Sequence, residues 1–156
     1  MPVEDYCRLG PRTVSPEQTV HAAAELMEQH GVGSLVVVDE EMRPVGMLTD
    51  RDVVIAVAGK GRDARQTLVS RVMSKPVVSV TGGAPVGVAI RFMRQYSVRR
   101  IPIVDGSSGR LKGILTTDDV IELLGKEFSS TSELIHMQLP PDAPGQPPFS
   151  DAAEGR

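Results

Sequence analysis

Two short phrases in this chain could do chemistry, and each is a copy of the other: Thr49-Asp50-Arg51-Asp52 and Thr116-Thr117-Asp118-Asp119. In both, a threonine hydroxyl stands three residues before a carboxylate, at the point where an apolar run gives way to a helical pattern. That spacing describes a capping box, in which the hydroxyl and the acid satisfy the first backbone N–H groups of a helix. The same spacing can also hold a ligand. Each threonine follows a Gly-x-Leu, so a backbone can approach closely at Gly46 or Gly113. A helix N-terminus offers donors and a positive dipole to a phosphate, and a carboxylate one turn further in can accept two hydrogen bonds from ribose hydroxyls, as in dinucleotide-binding folds. Cap and ligand site can coexist in one pair of side chains.

Little else in the sequence suggests a reaction. His21, His30 and His136 fall at unrelated positions without metal-ligand spacing, which argues against a metal site within one chain. Cys7 is the single cysteine. It has no sequence-evident base, so no activated nucleophile is expected, and no disulfide can close within one chain. The reading is of a protein with no catalytic residues and no required cofactor.

The elements that must position the two phrases follow from an internal repeat. At a spacing of 66 residues Val3 meets Val69, Val14 meets Val80, Val20 meets Val86, Ala23 meets Ala89, Met27 meets Met93, Gln29 meets Gln95 and Val32 meets Val98. The register slips by one in the turn after Asp39 and Asp105, and then Arg43 meets Arg110, Gly46 meets Gly113, Leu48-Thr49 meets Leu115-Thr116 and Asp52-Val53 meets Asp119-Val120. Recurrence of polar as well as apolar positions marks a duplicated unit rather than shared composition. Each unit reads β-α-β-β-α. A short β run (Thr13 to Ser15; Val77 to Val80) precedes a helix with an apolar stripe at Val20, Ala23, Ala24, Met27 or Val86, Ala89, Ile90, Met93. Thr19 can cap the first of these helices, Pro85 pre-sets entry to the second, and Gly31 ends the first. Leu35 to Val38 and Ile101 to Val104 are continuous apolar strands, expected to be covered on both faces. Val45 to Leu48 and Lys112 to Leu115 follow as strands that deliver Thr49 and Thr116 to the helices behind them.

The boundaries expected are a first repeat over 3–58, with a lead-in at Val3 to Cys7, a linker over 59–68 and a second repeat over 69–125. A C-terminal extension over 126–138, open to a helix, precedes a Pro-rich tail over 139–156. That tail carries Pro140, Pro141, Pro144, Pro147 and Pro148, a composition expected to stay disordered. With 17 basic and 20 acidic residues the chain has a formal net charge of −3, so it lacks the basic field that holds nucleic acid or an anionic membrane. No leader and no membrane span are expected, and the lone cysteine suits a cytoplasmic setting.

The duplicated β-α-β-β-α unit ending in Gly-x-Leu-Thr-x-x-Asp-Val resembles the cystathionine-β-synthase (CBS) domain family, which occurs as tandem pairs. So do the phrases Val69-x-x-Val72-Met73-Ser74-x-Pro76 and Val98-Arg99-Arg100-Ile101-Pro102-Ile103-Val104-Asp105. The resemblance covers roughly residues 3 to 125, and the chain is similar to stand-alone bacterial pairs such as actinobacterial hypoxia- or stress-response proteins. It implies an α/β fold in which two repeats pack with pseudo-twofold symmetry, as a homodimer, with clefts for AMP, ADP or ATP as a regulatory ligand. It assigns Thr49 and Thr116 to phosphate and Asp52 and Asp119 to ribose. Arg99 and Arg100 stand where relatives place a basic residue on the ligand phosphate, whereas the first repeat has Gly33 and Ser34 there, so unequal clefts are expected. Val14, Val36, Val80 and Pro102 are the adenine-slot candidates by family position, with plain core packing as their alternative.

Three functions remain in view from the sequence. The first is an adenosine-nucleotide sensor, with AMP or ATP as ligand, that relays binding to a partner protein. The second is a ligand-independent dimerisation or docking module. An enzyme using the cleft is disfavoured, since neither an activated nucleophile nor a metal cage is evident.

Overall fold

The computed structural model describes the backbone of residues 1–138 and side chains through residue 129. The expected tail over 139–156 lies outside the described residues. The chain divides into one compact unit, Met1–Val120, and a second from Ile121 onward.

Both repeats build the first unit. Its order is β1 (Arg8–Leu9), β2 (Thr13–Val14), α1 (Val20–His30), β3 (Ser34–Val38), β4 (Pro44–Thr49), α2 (Asp50–Val54), β5 (Val80–Thr81), α3 (Val86–Gln95), β6 (Arg100–Val104) and β7 (Leu111–Thr116). A final helix, α4, runs Thr117–Gln138. In the second unit Ile121, Leu124 and Phe128 are exposed at helical spacing. The range 126–138, left open between helix and coil by the sequence, is helical.

Local chemistry sets the helix ends. Thr19 accepts a hydrogen bond from the Ala22 N–H at 3.2 Å, and Gly31 closes α1 at φ 60°, a left-handed position that favours glycine. Pro85 stands at the start of α3. In each repeat a short strand pairs parallel with the long apolar strand, which pairs antiparallel with the next: β2-β3-β4 in one sheet, β5-β6-β7 in the other. The short strand of the second repeat begins at Val80 rather than spanning Val77 to Val80. The sheet ladder there needs the two residues opposite Ile103 and Val104, and those are Val80 and Thr81.

Strands β3 and β6 are buried on both faces. Leu35 and Val37 face a core with Val14, Ala23, Met27, Leu48 and Val69, while Val36 and Val38 on the other face pack with Ile114 and against Met47 and Leu111. The second cluster joins the two repeats, because Ile114 and Leu111 belong to β7. Of the two helix stripes, Ala24 is half-buried and Ile90 is 39% exposed, while the other six residues are buried.

The lead-ins are exchanged. Val3 donates its N–H to the Ala84 carbonyl at 2.8 Å, and Val69, its counterpart, donates to Gln18 at 2.8 Å. Likewise Glu4 bonds Gly82 while Ser70 bonds Pro16, and Val86 bonds Met1 while Val20 bonds Thr67. The segment preceding each repeat therefore docks on the other repeat, and the reciprocity gives the unit its approximate twofold relation. The exchange continues into the sheets: β1 pairs with β7, Arg8 opposite Ile114, and Ser74 bridges to Met47. Strand β1 was not expected from the sequence, since two residues carry no period of their own.

Candidate functional site

Both Thr-x-x-Asp phrases form complete capping boxes. Thr49 Oγ1 accepts from the Asp52 N–H at 3.2 Å, and Asp52 Oδ2 accepts from the Thr49 N–H at 2.9 Å and its hydroxyl at 2.8 Å. In the second repeat the Asp119 N–H donates to Thr116 Oγ1 at 3.2 Å, and Asp119 Oδ2 accepts from the Thr116 N–H at 2.9 Å and its hydroxyl at 2.6 Å. Each aspartate thus commits one oxygen to its own helix.

The other oxygen distinguishes the repeats. Asp119 Oδ1 accepts from Arg8 Nε at 2.8 Å, an ion pair in which the aspartate side chain is 8% exposed and the arginine 67%. Burial pushes the Asp119 carboxyl up, but the bonds from Thr116 and Arg8 outweigh it and leave the group below its ordinary value. At the matching position in the exchange stands Ser74, not a cation, and among the described residues Asp52 Oδ1 accepts no hydrogen bond.

Asp52 instead lines a cavity of about 140 Å³ together with Ile55, Ala56, Lys60, Arg62, Arg71 and Val72. Three cations and one carboxylate line it, so the hollow is electropositive and suited to an anionic group. Pockets that enclose a whole drug-sized ligand run roughly 300–1,000 Å³, so this one takes one end of such a ligand. Lys60 and Arg62 come from the stretch expected to be a bare linker, and Arg71 from the exchanged lead-in. The available signal was the repeat itself, in which Arg71 stands opposite Asp5.

The other expected site residues fall in three groups. Gly46 and Gly113 are close-approach positions, and what approaches is protein: a Cβ at Gly46 would lie 2.6 Å from Met73 Sδ, and one at Gly113 would lie 2.6 Å from Cys7 Sγ and 2.9 Å from the Arg8 carbonyl. Val14, Val36, Val80 and Pro102 are buried in the packed interior, with Val14 and Val36 in separate core clusters. Arg100 lies directly opposite Thr116 in the β6–β7 ladder, while Arg99 is exposed and accepts the Thr117 N–H on its carbonyl. The equivalent pair in the first repeat is Ser34 opposite Thr49. The structure therefore gathers Thr116, Asp119 and Arg100 around the second box, and Thr49, Asp52, Lys60, Arg62 and Arg71 around the first.

Among the described residues no group of three or more His, Cys, Asp or Glu side chains is arranged to hold a metal ion. No described helix is long and apolar enough to cross a membrane. Cys7 is half-buried against Gly113, and burial raises its thiol above the ordinary value.

The comparisons with known proteins agree with this architecture. The family described as CBS domain matches twice, over residues 3–59 and 69–126. The CBS domain-containing protein YhcV of Bacillus subtilis is 42% identical over 118 residues, 76% of this chain and 81% of YhcV. Hypoxic response protein 1 of Mycobacterium tuberculosis is 32% identical over 116 residues, 74% of this chain and 80% of its own length. Across four relatives at 32% to 42% identity, the matched stretch spans 61% to 81% of the relative. Among solved structures, the CBS domain pair of protein MJ0100 in complex with 5′-methylthioadenosine and S-adenosyl-L-methionine superposes with TM-score 0.71 at 26% identity, covering 81% of this chain and 98% of that one.

Proposed function

Because the chain belongs to the CBS domain family, as a tandem pair, we propose that it is a non-catalytic regulatory module that binds an adenosine nucleotide of the AMP or ATP class and relays the binding to a partner protein. The observation that carries this reading is the pairing of Asp52, with one oxygen uncommitted, and three cations in a single cavity. The carboxylate supplies acceptors for ribose hydroxyls, and Lys60, Arg62 and Arg71 supply donors and charge for phosphate. The adenosyl ligands of the MJ0100 pair support the adenosine part. The cation set favours a phosphorylated form over a cationic sulfonium such as S-adenosylmethionine.

A thermal-shift series with AMP, ATP and adenosine tests this. AMP at about 100 times its Kd should stabilise the fold by roughly 2.7 kcal/mol, a rise in Tm of about 5–11 °C. Replacing Lys60, Arg62 and Arg71 together by alanine should weaken AMP about tenfold, near 1.4 kcal/mol, and leave adenosine little changed. A well-folded chain indifferent to all three compounds would return the assignment to a ligand-independent docking module.

The pair is further proposed to act as a cytoplasmic homodimer. Val54, the last residue of the helix that follows Thr49, is 61% exposed and leaves apolar surface for a second copy. Light scattering should give twice the 16.7 kDa chain mass, and Val54→Asp should halve it; a wild-type monomer at working concentration would refute the arrangement.

A further inference from the structure

The two carboxylates that the repeat makes equivalent are not equally available. Resting on the reading of the Asp52 site above, we propose that Arg8 occupies the second ribose-binding carboxylate, so that each chain binds one adenosine nucleotide, at Asp52, rather than two. A ribose 2′,3′-diol donates two hydrogen bonds, and a carboxylate has about four acceptor positions. In each repeat Oδ2 gives two of these to the threonine of its own capping box. Asp52 Oδ1 keeps the remaining two for a diol. Asp119 Oδ1 has already accepted Arg8 Nε at 2.8 Å, on a side chain left 8% exposed.

A hydroxyl that displaced Arg8 would replace an ion pair, in which both partners are charged, by a bond from an uncharged donor and would leave the guanidinium without that partner. Strand β1 also holds Arg8 against that exchange, because its backbone is fixed opposite Ile114 in the ladder with β7. The duplicate position carries Ser74, which bridges to Met47 and brings no cation to Asp52. The surroundings differ in the same sense. Arg71 lines the first cavity, whereas its counterpart in the other lead-in is Asp5. What the second site does possess is Arg100, opposite Thr116. With Arg8 gone, the second Asp119 oxygen is released beside Thr116 and Arg100, so the substitution should create a site rather than merely remove an ion pair.

Isothermal titration of the full chain with AMP reads this directly. The wild type should take one AMP per chain, Arg8→Ser should take two, and Arg8→Ser combined with Asp119→Ala should return to one. Arg8 is largely exposed, so Arg8→Ser should leave the core intact, and Arg8→Gln provides a second variant should serine loosen β1. Two AMP bound to the wild type, or one bound to both folded Arg8 variants, would overturn the inference while leaving the Asp52 site standing. No AMP bound to any of these chains would instead overturn the reading on which it rests.

Discussion

Asp52→Asn is expected to weaken AMP binding by about 30- to 100-fold while leaving the melting temperature of the protein without nucleotide nearly unchanged. The two halves of that expectation come from the two oxygens of one side chain. Oδ2 accepts from the Thr49 N–H and hydroxyl, and an asparagine carbonyl can take its place, so the cap survives. Oδ1 is the oxygen assigned to the ribose diol, and the amide puts a donor there, facing hydroxyls that need an acceptor. Hydrogen bonds to a charged group contribute about 1.5–3 kcal/mol each, and the loss is partly offset because the amide can still be solvated; about 2–2.7 kcal/mol remains, which is the fold-change stated. Asp52→Ala should show the same loss of affinity with a further cost of about 1 kcal/mol in stability, the ordinary value of a broken cap. Titration calorimetry and a thermal melt of both variants check it. If Asn and Ala lowered the melting temperature alike and AMP affinity stayed put, Asp52 would be a cap and nothing more.

The sequence left cap and ligand site as alternatives for Thr49-x-x-Asp52 and Thr116-x-x-Asp119, and the structure explains why the sequence could not separate them. Both phrases make the cap, with nearly identical distances, so the local spacing is satisfied in either case. What differs is supplied from far along the chain: Arg8 reaches Asp119 across a separation of 111 residues, and Arg71 comes to the Asp52 cavity on an exchanged lead-in. Periodicity reports on neighbours three or four residues away, and such partners leave no trace in it. The duplication, by contrast, was legible because it is itself a pattern along the chain, and the long apolar strands β3 and β6 were legible because burial on both faces removes the polar alternation. The glycines are a mixed case. Gly46 and Gly113 signalled a close approach, and one occurs, but chemistry at a glycine does not say whether ligand or protein is the neighbour; here the lead-in side chains Met73 and Cys7 are. The resemblance put Arg99 and Arg100 on a ligand phosphate without fixing which cleft they serve, and Arg100 is the ladder partner of Thr116. It gave no notice of Lys60 and Arg62, because a run rich in glycine and charge reads as a connection whether or not its cations line anything.

Val3→Asp should be as damaging as Val69→Asp, although it lies at the third residue of the chain, where substitutions are ordinarily tolerated. Both valines are fully buried, and each anchors a lead-in to the other repeat through its N–H, to Ala84 and to Gln18. Val69 sits in a core cluster with Leu35 and Leu48. A carboxylate placed in such a setting has no partner, and an uncompensated buried charge costs about 3–5 kcal/mol even after relaxation, against a total stability of about 5–15 kcal/mol for a domain. Either variant should therefore lower Tm by more than about 10 °C or fail to fold, as read by circular dichroism. A milder probe attacks the same docking from the receiving side. Gly113→Ala sets a methyl group 2.9 Å from the Arg8 carbonyl, which is backbone and cannot swing away, whereas Gly46→Ala meets the flexible Met73 thioether and a carbonyl at 3.1 Å. Overpacking of this kind costs about 1–3 kcal/mol, so Gly113→Ala should lie near the upper end and Gly46→Ala near the lower. If Val3→Asp melted like the wild type while Val69→Asp did not, the exchange would be one-sided. The first lead-in would then be dispensable to the fold, and the β1 strand that carries Arg8 to Asp119 would owe its position to its ladder with β7 alone.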